Sequence, residues 1–257
     1  MRKTIISLAV AVLAMAALNT AGALAAEPSV IVPVAPPVRA FKLAPSADLD
    51  YAIQARQHGF MLGGEALINW RAGDGKYSVQ ADTKSQLFGK ILETRSEGTV
   101  DKFGLAPAQF TEKKFRKEAT STTFNRDAKT IDFSDGKQSY TIAGGEQDRA
   151  SAAWQLTALA RANPEKFVAG SAWSFFVAGP HDGDPWTFKV IKREKIDLGG
   201  TLGTVDALHI LRAPPPDDKG QALDLWLAPS LDWYPVRLRF TDDDDFVEQR
   251  LTKITKR

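Results

Sequence analysis

The chain contains no cysteine in 257 residues. That absence excludes disulfide staples, a thiolate nucleophile, cysteine-held zinc or iron–sulfur centres, and the acylated cysteine of a lipoprotein. A fold built from this sequence must stand on its core. Histidine is scarce, and His58, His181 and His209 are the whole supply. No His-Glu-x-x-His, Gly-x-Ser-x-Gly or Gly-x-x-x-x-Gly-Lys-Ser/Thr motif occurs. Excess charge is missing too. There are 33 basic and 31 acidic residues, and two of the basic ones, Arg2 and Lys3, belong to an N-terminal leader. The remainder is neutral, which gives no electrostatic case for nucleic acid or for an anionic membrane surface.

The leader itself is informative. Arg2 and Lys3 precede an almost wholly apolar run from Thr4 to Leu18, and Ala23-Leu24-Ala25 follows with a small-x-small pattern. This predicts a cleavable secretory signal over residues 1–26, cut after Ala25 or Ala26. The expected location is the periplasm, with secretion as the alternative. No later stretch is long and apolar enough to span a bilayer. Residues 27–46 hold Pro28, Pro33, Pro36, Pro37 and Pro45, a density that blocks helix and sheet ladders and predicts a mobile, disordered leader. The remaining residues, 47–257, are expected to form one β-rich domain, long enough to bury roughly 70% of its unfolded surface.

From Leu49 onward the texture is short alternating runs broken by turn residues. Leu49, Tyr51, Ile53 and Ala55 share one strand face; Leu62, Gly64, Ala66, Ile68 and Trp70 share the next. Turns fall at "AGDG", "KFGLAP", "NRDAK" and "SDGK", and "GGTLG" at Gly199–Gly203 reads as a hairpin turn and not a dinucleotide fingerprint. The count is about eleven strands in an antiparallel arrangement.

One segment breaks the alternation. "DRASAAWQLTALARANP", Asp148 to Pro164, is rich in Ala and Leu, can be capped by Asp148 or Ser151, and must stop before Pro164. Between Ala152 and Ala162 its only charge is Arg161, and Gln155 and Thr157 are its only other polar residues. A helix apolar nearly all round is covered nearly all round. The fold class is therefore mostly β: a single curved antiparallel sheet, a half-barrel or open barrel, around one central α-helix.

The segments "EGTVDKFGLAPAQF", "DRASAAWQL", "LGTVDALHI", "LWLAPSLDWYPVRLRF" and "VEQRLTKI", with the Gly63-Gly64 strand, resemble the family catalogued as domain of unknown function 3108 (DUF3108), of bacterial exported proteins. The resemblance runs from Leu49 to Ile254. It departs at "TDDDDF", where a Gly-containing turn is expected. It implies a mostly β envelope protein, distantly similar to half-barrel lipoprotein carriers, and brings no catalytic residues with it.

Candidate chemistry is thin. "HDGDP" could hold a metal through His181, Asp182 and Asp184, but Asp-Gly and Asp-Pro are ordinary turn chemistry. "DDDD", Asp242 to Asp245, fails as a calcium loop, because Val247 and Lys253 stand where Gly and Glu are required. His209 reads as a packed histidine, and Asp148 with Arg149 as a cap and a surface pair. No metal or cofactor is expected. The final hairpin is different: Leu223, Leu225 and Leu227 alternate with Trp226, and Val236, Leu238 and Phe240 with Arg237 and Arg239. Trp226, Arg237 and Arg239 either satisfy one another or form a binding surface that Trp233 and Tyr234 extend.

These residues predict a non-enzymatic periplasmic protein that binds an apolar or amphipathic envelope molecule, a lipid, acyl chain or glycan, between sheet and helix. The alternatives are an enzyme acting on envelope glycans through paired carboxylates, and a partner-docking module using the Pro-rich leader.

Overall fold

The computed structural model describes residues 36–212 and 221–257. The expected signal peptide and the first part of the leader lie outside the described residues.

The described chain forms β1 (Ala47–Gln57), β2 (Phe60–Gly73), β3 (Lys76–Ser85), β4 (Gly89–Asp101), β5 (Gly104–Lys114), β6 (Thr120–Asn125), β7 (Thr130–Phe133), β8 (Ser139–Thr141) and β9 (Gln147–Asp148). Helix α1 (Ala152–Ala162) follows. Then come β10 (Ala172–Ala178), β11 (Gly183–Asp197), β12 (Thr204–Arg212), β13 (Gln221–Leu227), β14 (Pro235–Asp242) and β15 (Asp245–Lys256). All strands join one sheet in the order β8-β7-β6-β5-β4-β3-β2-β1-β15-β14-β13-β12-β11-β10-β9. Every step is antiparallel except β9–β10, so the sheet is a meander whose first and last long strands, β1 and β15, pair at its centre.

Fifteen strands replace the expected eleven or so. The segments Thr130–Phe133 and Lys137–Ile142, expected as strands, hold β7 and β8, whereas β9 spans two residues, too few to display an alternation. A second correction concerns "KFGLAP", expected as a turn. Only its first residues turn; β5 already begins at Gly104. Pro107 is tolerated there because a bulge interrupts the β4 register between Glu97 and Gly98. Gly98 is required opposite it, since a Cβ would sit 2.2 Å from the Ala106 carbonyl oxygen. The β2–β3 turn follows its sequence: Asp74 and Gly75 take φ of 50° and 70°, as a tight two-residue hairpin demands.

The sheet curls until its two ends meet. Phe124, Ile131 and Phe133 of β6 and β7 pack on Phe176 and Ala178 of β10. The Thr122 hydroxyl donates to the Gly179 carbonyl at 2.7 Å, and the Gln147 amide to the Leu105 carbonyl at 2.8 Å. Side chains close this seam in place of a strand ladder.

Helix α1 lies inside the curl. All its residues from Trp154 to Ala160 are buried. Its three polar side chains have dedicated partners: Gln155 bonds the Phe103 carbonyl at 2.7 Å and the Leu105 N–H at 2.9 Å, Thr157 bonds the Trp233 carbonyl at 3.2 Å, and Arg161 bonds Asp232 at 2.9 Å. Residues 36–46 complete the cover. Expected as mobile leader, this stretch is a fixed strap: Lys42 N–H donates to the Ala158 carbonyl at 2.9 Å, Asn163 donates to the Ala40 carbonyl at 2.7 Å, and Arg39 stacks on Trp173 at 4.5 Å. Proline excludes a ladder here, but it does not exclude side-chain docking.

Candidate ligand-binding site

The five residues proposed from the last hairpin do not converge. Trp226, Arg237 and Arg239 alternate onto the outer face. Trp233 and Tyr234 turn inward, where Trp233 packs against Phe167 and the Tyr234 hydroxyl donates to the Pro45 carbonyl at 2.8 Å.

The outer group is closed on itself. Register places His209, Trp226 and Arg237 side by side across β12, β13 and β14. The Trp226 ring stacks on His209 at 4.4 Å and carries the Arg237 guanidinium over it at 4.5 Å. Its indole N–H donates to Glu194 Oε1 at 2.7 Å, and His209 Nε2 meets Asp224 Oδ1 at 2.6 Å. Glu248 gathers Arg237 at 2.5 Å, Arg250 at 3.0 Å and Arg239 at 3.4 Å. Burial pushes the Glu248 carboxyl up, but Arg237 and Arg250 together outweigh it and hold the carboxyl below the usual range. Trp226 is buried, so little of the face remains for a ligand ring.

The inner face of the same hairpin is hollow. Leu223, Leu225 and Leu238 form part of a cavity whose other walls are Ala66, Ile68, Val79, Ala81, Leu92 and Phe110 of β2–β5, Trp186 and Phe188 of β11, and the first turn of α1 at Ala152, Ala153 and Trp154. About 130 Å³ is open to the centre of a water molecule; a single water needs about 10–15 Å³ on that measure. Only Thr83, Thr94, Glu112, Arg149 and Gln249 are polar in the lining.

The local reason is side-chain size. Ala66, Ala81, Ala152 and Ala153 stand at inward positions where the strand and helix patterns put apolar residues, and each is too short to reach across. The remaining half of α1 is filled: Leu156, Leu159 and Ala160 pack among Phe167, Trp173, Val190, Ile210 and Leu227.

Two groups missed by the sequence reading flank the cavity. Arg149, expected in a surface pair, lies largely buried, its guanidinium 3.2 Å from Asp182; burial lowers its pKa, while Asp182 and Glu112 oppose that. Glu112 is buried and pairs with Lys114 at 3.0 Å. Their signal was position: both sit at the β5 and α1 ends nearest the hollow. Asp148, also expected at the surface, is fully enclosed. Its Oδ1 accepts from the Ala150 and Ser151 N–H groups at 2.9 and 2.8 Å, and the Ser96 hydroxyl donates to its Oδ2 at 2.5 Å. Burial raises its pKa to about 6. It organises the start of α1 without bonding the helix's own first turn.

The other motifs disperse. His181 turns to Asp135 at 3.1 Å while Asp182 turns to Arg149. Among the described residues, no group of three His, Asp or Glu side chains is placed to hold a metal. Glu112 is the one carboxylate in the cavity lining, so the paired-carboxylate chemistry of glycan hydrolysis lacks its second member there. No helix among the described residues is long and apolar enough to cross a membrane.

A single curved antiparallel sheet, closed by side chains around an interior helix and a partly empty core, defines an open β-barrel-like protein. Within that class the chain belongs to DUF3108, a family described as protein of unknown function, whose model matches residues 49–252. No curated protein matches the sequence. Among solved structures, a beta-barrel-like protein of the DUF1849 family from Brucella abortus is similar in fold, with a TM-score of 0.57 at 12% identity over 85% of this chain and 100% of that one. A DUF1329 family protein from Desulfovibrio piger aligns over 83% of this chain and 86% of its own at 7% identity, with a TM-score of 0.28.

Proposed function

We propose that this protein is a non-enzymatic carrier of the cell envelope, exported to the periplasm, that holds the apolar part of a lipid or acyl-bearing molecule in the cavity between α1 and the sheet. One observation carries the reading: the core is close-packed around the C-terminal half of α1 and hollow around its first turn. Protein interiors pack to crystal-like density, so a void of this size walled by Ala, Leu, Ile, Val, Phe and Trp favours an apolar occupant over water. Arg149, Glu112 and Gln249 give such a molecule a polar end to face. The N-terminal basic-then-apolar sequence supports export.

Native mass spectrometry of the protein purified from an envelope fraction, followed by organic extraction, tests the reading. The expected result is a bound species with an aliphatic chain, released on denaturation. A protein that carries no adduct, and that leaves the fluorescence of an added acyl-chain probe unchanged, sinks it.

A further inference from the structure

Three neighbouring hairpin turns carry large apolar side chains into solvent. Phe60 and Met61 open β2 at 68% and 61% exposed; Leu87 and Phe88, in the β3–β4 turn, are 69% and 38% exposed; Phe115, after β5, is 42% exposed. Singly, such residues need no explanation. Here they adjoin. The Gln86 N–H donates to the Gly63 carbonyl at 3.1 Å, tying the β3–β4 turn to the start of β2. The Phe115 N–H donates to the Ile91 carbonyl at 2.8 Å, and the Phe88 and Phe115 rings lie 6.3 Å apart.

Charge is sorted with them. Lys84 and Lys90 flank the second turn, and Lys113, Lys114, Arg116 and Lys117 surround the third, against one acidic residue, Glu118, in those two stretches. Lys84, Lys90 and Lys114 pair with Glu65, with Asp82 and Glu93, and with Glu112 respectively. Among the described residues, Lys113, Arg116 and Lys117 have no carboxylate at ion-pair distance. Arg116 lies over the Phe115 ring at 4.8 Å. The acidic Asp242–Asp245 turn lies against the β1–β2 turn, where the His58 N–H donates to Asp245 Oδ1 at 2.9 Å and Arg56 meets the Asp244 carbonyl, so the basic corner is made by the other two turns. Outside the N-terminal leader basic and acidic residues balance, and these two turns stand out as one basic, apolar-tipped corner. The same corner borders the cavity: Thr83, Leu92 and Glu112 of its lining are close neighbours of these turns in the chain.

We propose that the β3–β4 and β5–β6 turns dock this protein on an anionic phospholipid surface. Leu87, Phe88 and Phe115 enter the interface, and the surrounding lysines and Arg116 meet the phosphates. Apolar burial and attraction to anionic headgroups add in such contacts, and each is too weak to hold alone. The proposal rests on the turns and not on the cavity, so either reading can fail without the other.

The test is co-sedimentation of the whole protein with phosphatidylcholine vesicles that contain, or lack, about one third phosphatidylglycerol. Binding is expected to the anionic vesicles only, and to fall as ionic strength rises from about 0.1 to about 1 M. The triple variant Leu87→Ser, Phe88→Ser, Phe115→Ser is expected to lose about tenfold in affinity, and the pair Lys113→Glu, Lys117→Glu about as much. These side chains are exposed, so an unchanged melting temperature confirms that both variants fold. A wild-type protein that stays in solution with anionic vesicles overturns the proposal, as does a triple variant that sediments like the wild type. Capture of a protein through these turns, by a chain that ignores vesicles, overturns it equally.

Discussion

The two faces of the β13–β14 hairpin start from the same alternation and end differently. Outside, Trp226, Arg237 and Arg239 carry groups able to grip a ligand, yet Glu194, His209 and Glu248 already occupy them. Inside, Leu223, Leu225 and Leu238 are chemically plain, yet they border space that nothing fills. The difference teaches that binding capacity lies in what neighbours leave unsatisfied. A satisfied cluster of strong groups is a structural joint, while an underfilled wall of weak ones is a site.

The largest expected effect comes from extending the hollow into the filled part of the core. Trp154 stacks on Trp70 at 4.3 Å and meets Tyr234 edge-on at 6.1 Å, so it is the post on which the cavity ends. Trp154→Ala is expected to cost about 3–5 kcal/mol, because the sheet cannot collapse onto the deleted indole. Denaturant unfolding measures it. A cost below about 1 kcal/mol would mean that the helix is not the core of the barrel.

Next come two carboxylates with opposite signs, one from each region. Asp148 is enclosed at the helix start, with its pKa raised from 3.8 to about 6 by burial. A raised folded-state value means the native protein holds the proton more tightly than the unfolded chain. The contribution is fully present below pH about 4 and lost as pH rises through about 6, amounting at most to about 3 kcal/mol. Asp148→Asn should remove that slope from stability-versus-pH curves while keeping the acceptor for the Ala150 and Ser151 N–H groups. Glu248, on the outer face, is held low by Arg237 and Arg250. Its contribution is present above the unfolded carboxylate value and lost as pH falls below it. Glu248→Ala is expected to cost about 1–3 kcal/mol at neutral pH, discounted because its arginines reach solvent. That loss should shrink in acid. Matching slopes in the two variants would erase the distinction between the faces.

These contrasts also explain what could be read from the chain. The enclosure of α1 was legible because Ala152–Ala162 has almost no charge, and a covered helix needs a curved cover. The inward and outward sets of β13 and β14 were legible from period two. The stacking of arginine on Trp226 was one of two readings, but the carboxylates that complete the outer face were not legible: Glu194 reaches Trp226 from β11 and Glu248 reaches Arg237 from β15, and alternation says nothing about cross-strand partners. A groove between sheet and helix was expected, but the residues that leave it open were not legible, for a related reason. Alanine at position 66, 81 or 153 satisfies an apolar pattern as well as leucine does, so the pattern marks which residues face inward without showing whether they meet. The strap at residues 36–46 was hidden by proline, which signals the lack of a ladder and nothing about docking.

The smallest stability effect is expected where the functional effect is largest. Ala153 is half-buried on α1 and faces the cavity. In a close-packed core, Ala153→Leu would force neighbours off their rotamers and cost about 1–3 kcal/mol. In a hollow one, the added carbons occupy vacant space and gain contacts, so stability should change by less than about 1 kcal/mol, with an increase favoured. The same carbons should exclude an acyl chain. Ala153→Leu is therefore expected to melt at or above the wild-type temperature while losing the bound species and the response to an acyl probe. Trp226→Phe, on the opposite face, should lose about 1 kcal/mol with the Glu194 hydrogen bond and leave probe binding intact. If instead Trp226→Phe abolished binding and Ala153→Leu did not, the site would lie on the outer face, and the inner void would be only a packing defect.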